Sequence, residues 1–105
     1  MRSITVTVVG AASSAPIPMN LDTSPFNIGF GVVPVSSANY TVQHSFDNPL
    51  ATNYDPEAAV WFNHPTIANQ TTNQDGNYAF PVAAIRLTVN SGDGASMTLI
   101  QAGIA

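Results

Sequence analysis

In four separate stretches of this chain the apolar side chains fall at every second position. Ile4, Val6 and Val8 alternate with threonine and serine. Phe26, Ile28, Phe30 and Val32 alternate with asparagine and glycine. Tyr40, Val42, His44 and Phe46 alternate with Thr41, Gln43 and Ser45, and Ile85, Leu87 and Val89 with Arg86, Thr88 and Asn90. A two-residue period places one set of side chains on a single face of a pleated strand, so each stretch reads as a strand with one face buried. No comparable stretch has the three-to-four-residue spacing of an amphipathic helix. A chain built this way must stack sheet on sheet to cover its apolar faces.

The segments between the strands support this reading. Turn signals recur at the short, regular intervals of a sandwich. They include Ser36-Ser37-Ala38-Asn39, Asp47-Asn48-Pro49, Gln74-Asp75-Gly76-Asn77 and Ser91-Gly92-Asp93-Gly94. The expected fold is all-β. It is a single-domain antiparallel β-sandwich over residues 1–105 with about six to eight strands, connected as a jelly roll or as an immunoglobulin-like Greek key. Residues 10–18, with two prolines among small residues, are expected as an extended loop or an arm reaching a neighbour. Met19–Thr23 and Ala58–Asn63 read as short strands. The stretch 77–102 reads as a closing hairpin about the Ser91–Gly94 turn, with a β-bulge at Ala83–Ala84 reconciling its two alternating runs.

Composition narrows the function classes. There are 105 residues, no cysteine, and a formal charge of −4 from two arginines against five aspartates and one glutamate. Disulfides and thiolate metal sites are therefore excluded. Two isolated arginines cannot track a phosphate backbone, so nucleic acid is not an expected partner. No apolar run is long enough for a membrane-spanning helix. The first residues alternate with threonine, unlike the continuous apolar core of a signal peptide, and no export is inferred. Charged residues make up 8% of the chain, against about 25% in an average domain. Such a surface suits a protein largely covered in an assembly, because the centres of interfaces are depleted in charge.

No catalytic pattern stands out. His44 and His64 are the only histidines, and no third ligand at metal-site spacing accompanies them, so both are expected to be structural. Asp47, Asp55 and Glu57 share one loop, which is expected as solvated charge, with calcium as the alternative. There is no Gly-x-Ser-x-Gly elbow and no glycine-rich phosphate loop. No enzymatic activity, cofactor or metal is expected. Trp61 and Phe62 are adjacent on a strand and must point to opposite faces, so one of them lies outside the core. Phe26, Phe30, Trp61 and Phe62 are the candidate interface residues.

Three phrases carry a resemblance over roughly residues 38–105. They are Thr41-Val-Gln-His-Ser-Phe-Asp-Asn-Pro49, Trp61-Phe-Asn-His-Pro65 and Asn77-Tyr-Ala-Phe-Pro-Val-Ala-Ala-Ile-Arg-Leu-Thr-Val89, together with the terminal Leu99-Ile-Gln-Ala-Gly103. With these the chain resembles small structural proteins encoded among the head genes of tailed bacteriophages. The resemblance implies a virion component, a capsid cement or decoration protein in particular. Such a protein would be assembled in the bacterial host cytoplasm and would bind the major capsid protein and copies of itself as a dimer or trimer. A tail, neck or fibre component, including a carbohydrate-binding sandwich module, is the alternative.

Overall fold

The structure, a computed structural model, describes residues 2–19, 24–36 and 38–104, and for residues 2, 24–26 and 102–104 the backbone alone. Eight strands run in chain order: β1 (Arg2–Val9), β2 (Ile17–Pro18), β3 (Ser24–Pro34), β4 (Asn39–Ser45), β5 (Phe62–Asn63), β6 (Gln74–Tyr78), β7 (Ala84–Ser91) and β8 (Gly94–Ile104). There is no helix among the described residues. The strands form two four-stranded sheets, ordered β1-β8-β3-β6 and β2-β7-β4-β5, and every pairing is antiparallel. The expected all-β sandwich is therefore the fold.

The pairing has a simple rule. The first strand pairs with the eighth, the second with the seventh, the third with the sixth and the fourth with the fifth. This is a long hairpin of strands rolled up so that its successive segments alternate between the two sheets. The inner faces meet in one core, to which β3 gives Ile28, Phe30 and Val32, β7 gives Ile85, Leu87 and Val89, and β8 gives Met97 and Leu99. Those are the alternating apolar positions of the sequence, buried because each strand turns one face to the opposite sheet.

Several local expectations are corrected. Residues 84–102 do not form a hairpin. The Ser91–Gly94 turn carries the chain from one sheet to the other, so β7 and β8 face each other across the core. Gly94, at φ +127°, lies against the Val8 carbonyl, and Gly92, at φ +103°, lies against Ala38. Only glycine fits both the backbone conformation and the close approach. The bulge expected at Ala83–Ala84 is absent, because the chain changes sheet between Tyr78 and Ala84. A register shift does occur at Asn39/Tyr40 against Ser91/Val89, which leaves Asn90 as the extra residue. Its amide donates to Asn39 Oδ1 at 2.8 Å and to Thr41 Oγ1 at 3.1 Å.

Gln74–Asn77 is not a turn but most of β6, paired to β3 with Gly76 opposite Phe30. A Cβ there would meet the Phe30 ring at 3.0 Å, so this glycine makes room for an aromatic side chain. Ala58–Asn63 contributes only Phe62–Asn63 as strand. The strand expected at Met19–Thr23 falls mostly outside the described residues, and Met19 itself is not in a strand.

Residues 10–18 run along β7. Ser14 N–H donates to Leu87 O at 2.8 Å, Val89 N–H donates to Ala12 O at 2.8 Å, and Ile17 pairs with Ile85. The prolines interrupt the ladder, which is why only two residues qualify as β2. This segment lies on its own chain and does not extend away as an arm.

Candidate functional site

One end of the sandwich is built from aromatic rings. β4 points Tyr40, Val42 and His44 into the core, and His44, near the end of the strand, is the last of the three. Its register partner on β5 is Phe62. The strand stops at Ser45, so Phe46 leaves the sheet and turns outward. β6 ends at Tyr78, and Phe80 lies just beyond it, where the chain crosses to the other sheet.

These residues converge on one imidazole. The His44 ring meets Tyr78 edge-on at 4.9 Å, Phe80 at 5.5 Å and Phe46 at 5.7 Å, and stacks on Phe62 at 5.9 Å with a 25° interplanar angle. His44 and Tyr78 are buried. Phe46, Phe62 and Phe80 are 58%, 47% and 43% exposed. Edge-to-face and offset geometries are the favourable ones for such rings. The result is a surface cluster of three phenylalanines held from below by a buried histidine and tyrosine.

Polar groups fix this base. Tyr78 Oη lies 2.9 Å from His44 Nδ1. Burial raises the tyrosine pKa and lowers that of His44, to which the nearby His64 adds a smaller electrostatic push in the same direction. The phenol therefore keeps its proton and donates to an unprotonated Nδ1. His64 lies on the other side of Tyr78, with ring centroids 5.0 Å apart. Its Nε2–H donates to the Asn77 carbonyl at 3.0 Å, while Nδ1 accepts from the N–H groups of Thr66 at 3.2 Å and Ile67 at 3.3 Å. That ring ties the loop after β5 to β6, across the two sheets. Both histidines thus hold structure in place, His44 through Nδ1 to Tyr78 and His64 through both nitrogens to backbone groups.

Trp61 faces the other way from Phe62. Its half-buried ring has the Arg86 guanidinium 4.2 Å from its centroid. Arg86 Nε–H donates to Gln43 Oε1 at 2.8 Å, and Gln43 Nε2–H donates to Asn63 Oδ1 at 2.9 Å. Burial draws the Arg86 pKa down, and Tyr54 opposes this. Arg86 remains cationic and covers the indole as a cation–π partner.

Of the carboxylates, Asp47 and Asp55 line one pocket in the loop after β4. Asp47 Oδ2 accepts from Val60 N–H at 2.9 Å, and Asp55 Oδ1 accepts from Glu57 N–H at 3.0 Å, so both shape their own loop. Asp75 sits on β6 opposite Gly31. Among the described residues no group of three or more histidine, cysteine or acidic side chains is placed to hold a metal ion.

Of the four candidate interface residues, Phe62 stands in the exposed cluster and Trp61 beside it under Arg86. Phe30 is corrected: at 5% exposed it packs on Tyr78 and His64 in the core, because its strand turns that face to the second sheet. The Phe26 side chain lies outside the described residues. Phe46 and Phe80 are surface members that alternation alone assigns to buried faces. The readable signal is their position, immediately before the Asp47-Asn48-Pro49 turn in one case and next to Pro81 in the other.

No protein-family model matches the chain, and no curated protein matches it. Among solved structures it is similar to a Bacillus endospore appendage protein, of a family of disulfide-linked pili, at 12% identity over 99% of this chain and 87% of that one, with a TM-score of 0.46. It is also similar to the Tobacco streak virus coat protein. The structure of the coat protein dimer gives 9% identity over 98% and 88% of the two chains, with a TM-score of 0.35. A second crystal form gives 12% identity over 98% and 90%, with a TM-score of 0.31. Superpositions this loose assign the chain neither a family nor a function.

Proposed function

We propose that this protein is a structural component of a virus particle, of the tailed-bacteriophage kind its sequence resembles, and that it acts as a capsid cement or decoration protein between capsomers. The observation that carries the reading is the cluster of Phe46, Phe62 and Phe80. Three large rings are kept at the surface by a buried, hydrogen-bonded base, where a free-standing domain would turn them inward. Contiguous exposed apolar surface marks an interaction site, and aromatic anchors dominate binding energy where they fill a partner's pocket.

Two further features support it. The rolled pairing of first strand with last, second with seventh, third with sixth and fourth with fifth supports reading the sandwich as a jelly roll, an arrangement that viral capsid and lectin domains use. A fold hosts many functions, so the surface chemistry has to discriminate. Here that surface is poor in charge, as buried interface centres are. Trp61, the natural sugar-stacking ring, is already covered by Arg86, which favours protein contact over glycan binding. The partners in this reading are the major capsid protein and copies of this chain, with no catalytic step and no cofactor. Such a protein stabilises a shell by binding the assembled lattice in preference to separated subunits. An interface of about 1,200–2,000 Å² divided among neighbours would suffice.

The test is quantitative mass spectrometry of purified particles, repeated with Phe62→Ser. Wild-type protein is expected at a copy number matching the shell lattice, and the variant, folded by circular dichroism, is expected to be lost from particles. A copy number far below the lattice would move the protein to the tail, neck or a fibre. Absence from particles would end the virion reading.

A further inference from the structure

The four sheet edges are not alike. β2 is two residues long and ends in Pro18, and β5 is also two residues long. β6 carries Asp75. Each is blunted in a way that natural proteins use to prevent strand addition: a short edge, a proline or a charge. The fourth edge, β1, is long and free of proline, and its one charge is at its first residue, Arg2. It runs eight residues from Arg2 to Val9 and pairs with β8 in unbroken register, from Arg2↔Gln101 to Val9↔Gly94, with no bulge. Ser3 to Val9 contains no charge, proline or glycine and is mostly β-branched. Among the described residues no strand lies on the other side of β1.

We propose that this edge pairs antiparallel with the β1 edge of a second copy across a two-fold axis, joining two four-stranded sheets into one of eight strands. The self-complementarity of the strand is the argument. Antiparallel neighbours must share a face, so a two-fold axis has to pass through a residue pairing with itself. Centred on Thr5, the pairing sets Ile4 against Val6 on the inner face and Ser3 against Thr7 on the outer. Centred on Val6, it sets Ile4 against Val8 and Thr5 against Thr7. In either register the central pairs keep apolar residues with apolar and hydroxyls with hydroxyls; the mismatches fall at the ends, Arg2 against Val8 in the first and Ser3 against Val9 in the second, and neither opposes like charges. The outer face already forms such hydroxyl pairs within the chain, Thr5 Oγ1 with Thr98 Oγ1 at 3.0 Å and Thr7 Oγ1 with Ser96 Oγ at 3.1 Å. A second β1 would extend those rows.

This inference rests on the self-association part of the proposed function, and its test is separable from the particle assay. Sedimentation equilibrium of the purified full chain is expected to show a dimer. Thr5→Lys/Thr7→Lys, at two exposed positions, places lysines opposite lysines and is expected to weaken the dimer about tenfold or more while leaving the melting temperature of the dilute protein near that of wild type. Thr5→Glu/Thr7→Glu should do the same. Mixing the two variants should restore dimers, now mixed ones, by native mass spectrometry. Hydrogen exchange should show slow amides on both sides of β1 in the wild type and on the β8 side alone in the lysine variant.

A wild-type monomer at all concentrations, a lysine variant that dimerises as well as wild type, or variants that fail to combine would each overturn the pairing. So would a β1 edge protected only on shells, since a strand of another protein would then occupy it. A monomer that still enters particles at lattice copy number defeats this inference alone, and a dimer absent from particles defeats the shell role alone.

Discussion

The Tyr78 hydroxyl lies 2.9 Å from His44 Nδ1, beneath three exposed phenylalanine rings. That imidazole supports the surface cluster, and its surroundings favour the neutral ring. Burial lowers the His44 pKa from its ordinary value of 6.5, and the neighbouring His64 lowers it further. The unfolded chain titrates at the ordinary value. Between the two values the unfolded state holds a proton that the folded state lacks, so stability falls as pH drops through this window and levels off below the folded pKa. The His44 contribution is fully present above about 6.5. Thermal melts from pH 7.5 downward should show this slope, and His44→Gln should remove that part of it. A histidine proton signal for His44 with a midpoint above 6.5 would refute the assignment.

Tyr78→Phe leaves Nδ1 without its donor in a buried setting. Stability should drop by about 1–3 kcal/mol, the cost of orphaning a buried acceptor. Urea denaturation of the variant measures it at neutral pH, and an unchanged midpoint would mean that water replaces the phenol.

Glycine-to-alanine substitutions separate the sheet-crossing turn from the strands. At Gly94 a Cβ would run into the Val8 carbonyl and φ is +127°, and at Gly92 it would lie 2.7 Å from Ala38 Cα with φ +103°. Each alanine should cost about 3 kcal/mol or more, adding backbone strain to a clash with main chain that cannot move aside. Gly31, on β3, has nothing within 4 Å of the same position and no positive φ. Gly31→Ala should fall within about 1 kcal/mol of wild type, on the stabilising side, because alanine loses less chain entropy in a strand. The urea midpoints of the three variants should keep this order. Equal midpoints would contradict the close approaches to Val8 and Ala38 at the turn that carries the chain from β7 in one sheet to β8 in the other.

That placement marks the limit of what the sequence reveals. Alternation reports which face of a strand is buried, and on that basis β1, β3, β4, β7 and β8 were legible. It does not report which strand lies alongside and which lies across the core. Ile85, Leu87 and Val89 read the same whether Met97 and Leu99 sit beside them in a hairpin or opposite them in the second sheet. The Gly92 and Gly94 turn was visible, but the close approach to Ala38 and Val8 that sends the chain across was not. Asp75-Gly76 has the composition of a turn, and only the Phe30 ring over Gly76 explains why it lies in a strand. The candidate site was half legible. The neighbours Trp61 and Phe62 were bound to part company, but the exposure of Phe46 and Phe80 depends on where strands end. That boundary is set by the tertiary crossing and not by local pattern.

Arg86 and Trp61 offer the last prediction, because the chain has one tryptophan and its fluorescence reports on the pair directly. The guanidinium carbon stands 4.2 Å from the indole centroid while its Nε–H reaches Gln43 Oε1 at 2.8 Å. Lysine keeps the charge but has neither the planar fork nor the Nε donor. Arg86→Lys should therefore destabilise the fold by about 1 kcal/mol and shift Trp61 emission to longer wavelength as water reaches the ring. In a double-mutant cycle with Trp61→Leu, a coupling of about 0.5–1 kcal/mol is expected. Zero coupling would mean that the two side chains share a place on the outer face of the second sheet without attracting each other. The indole would then be free to stack on a ligand, which would reopen the glycan-binding reading that its cover by Arg86 now disfavours.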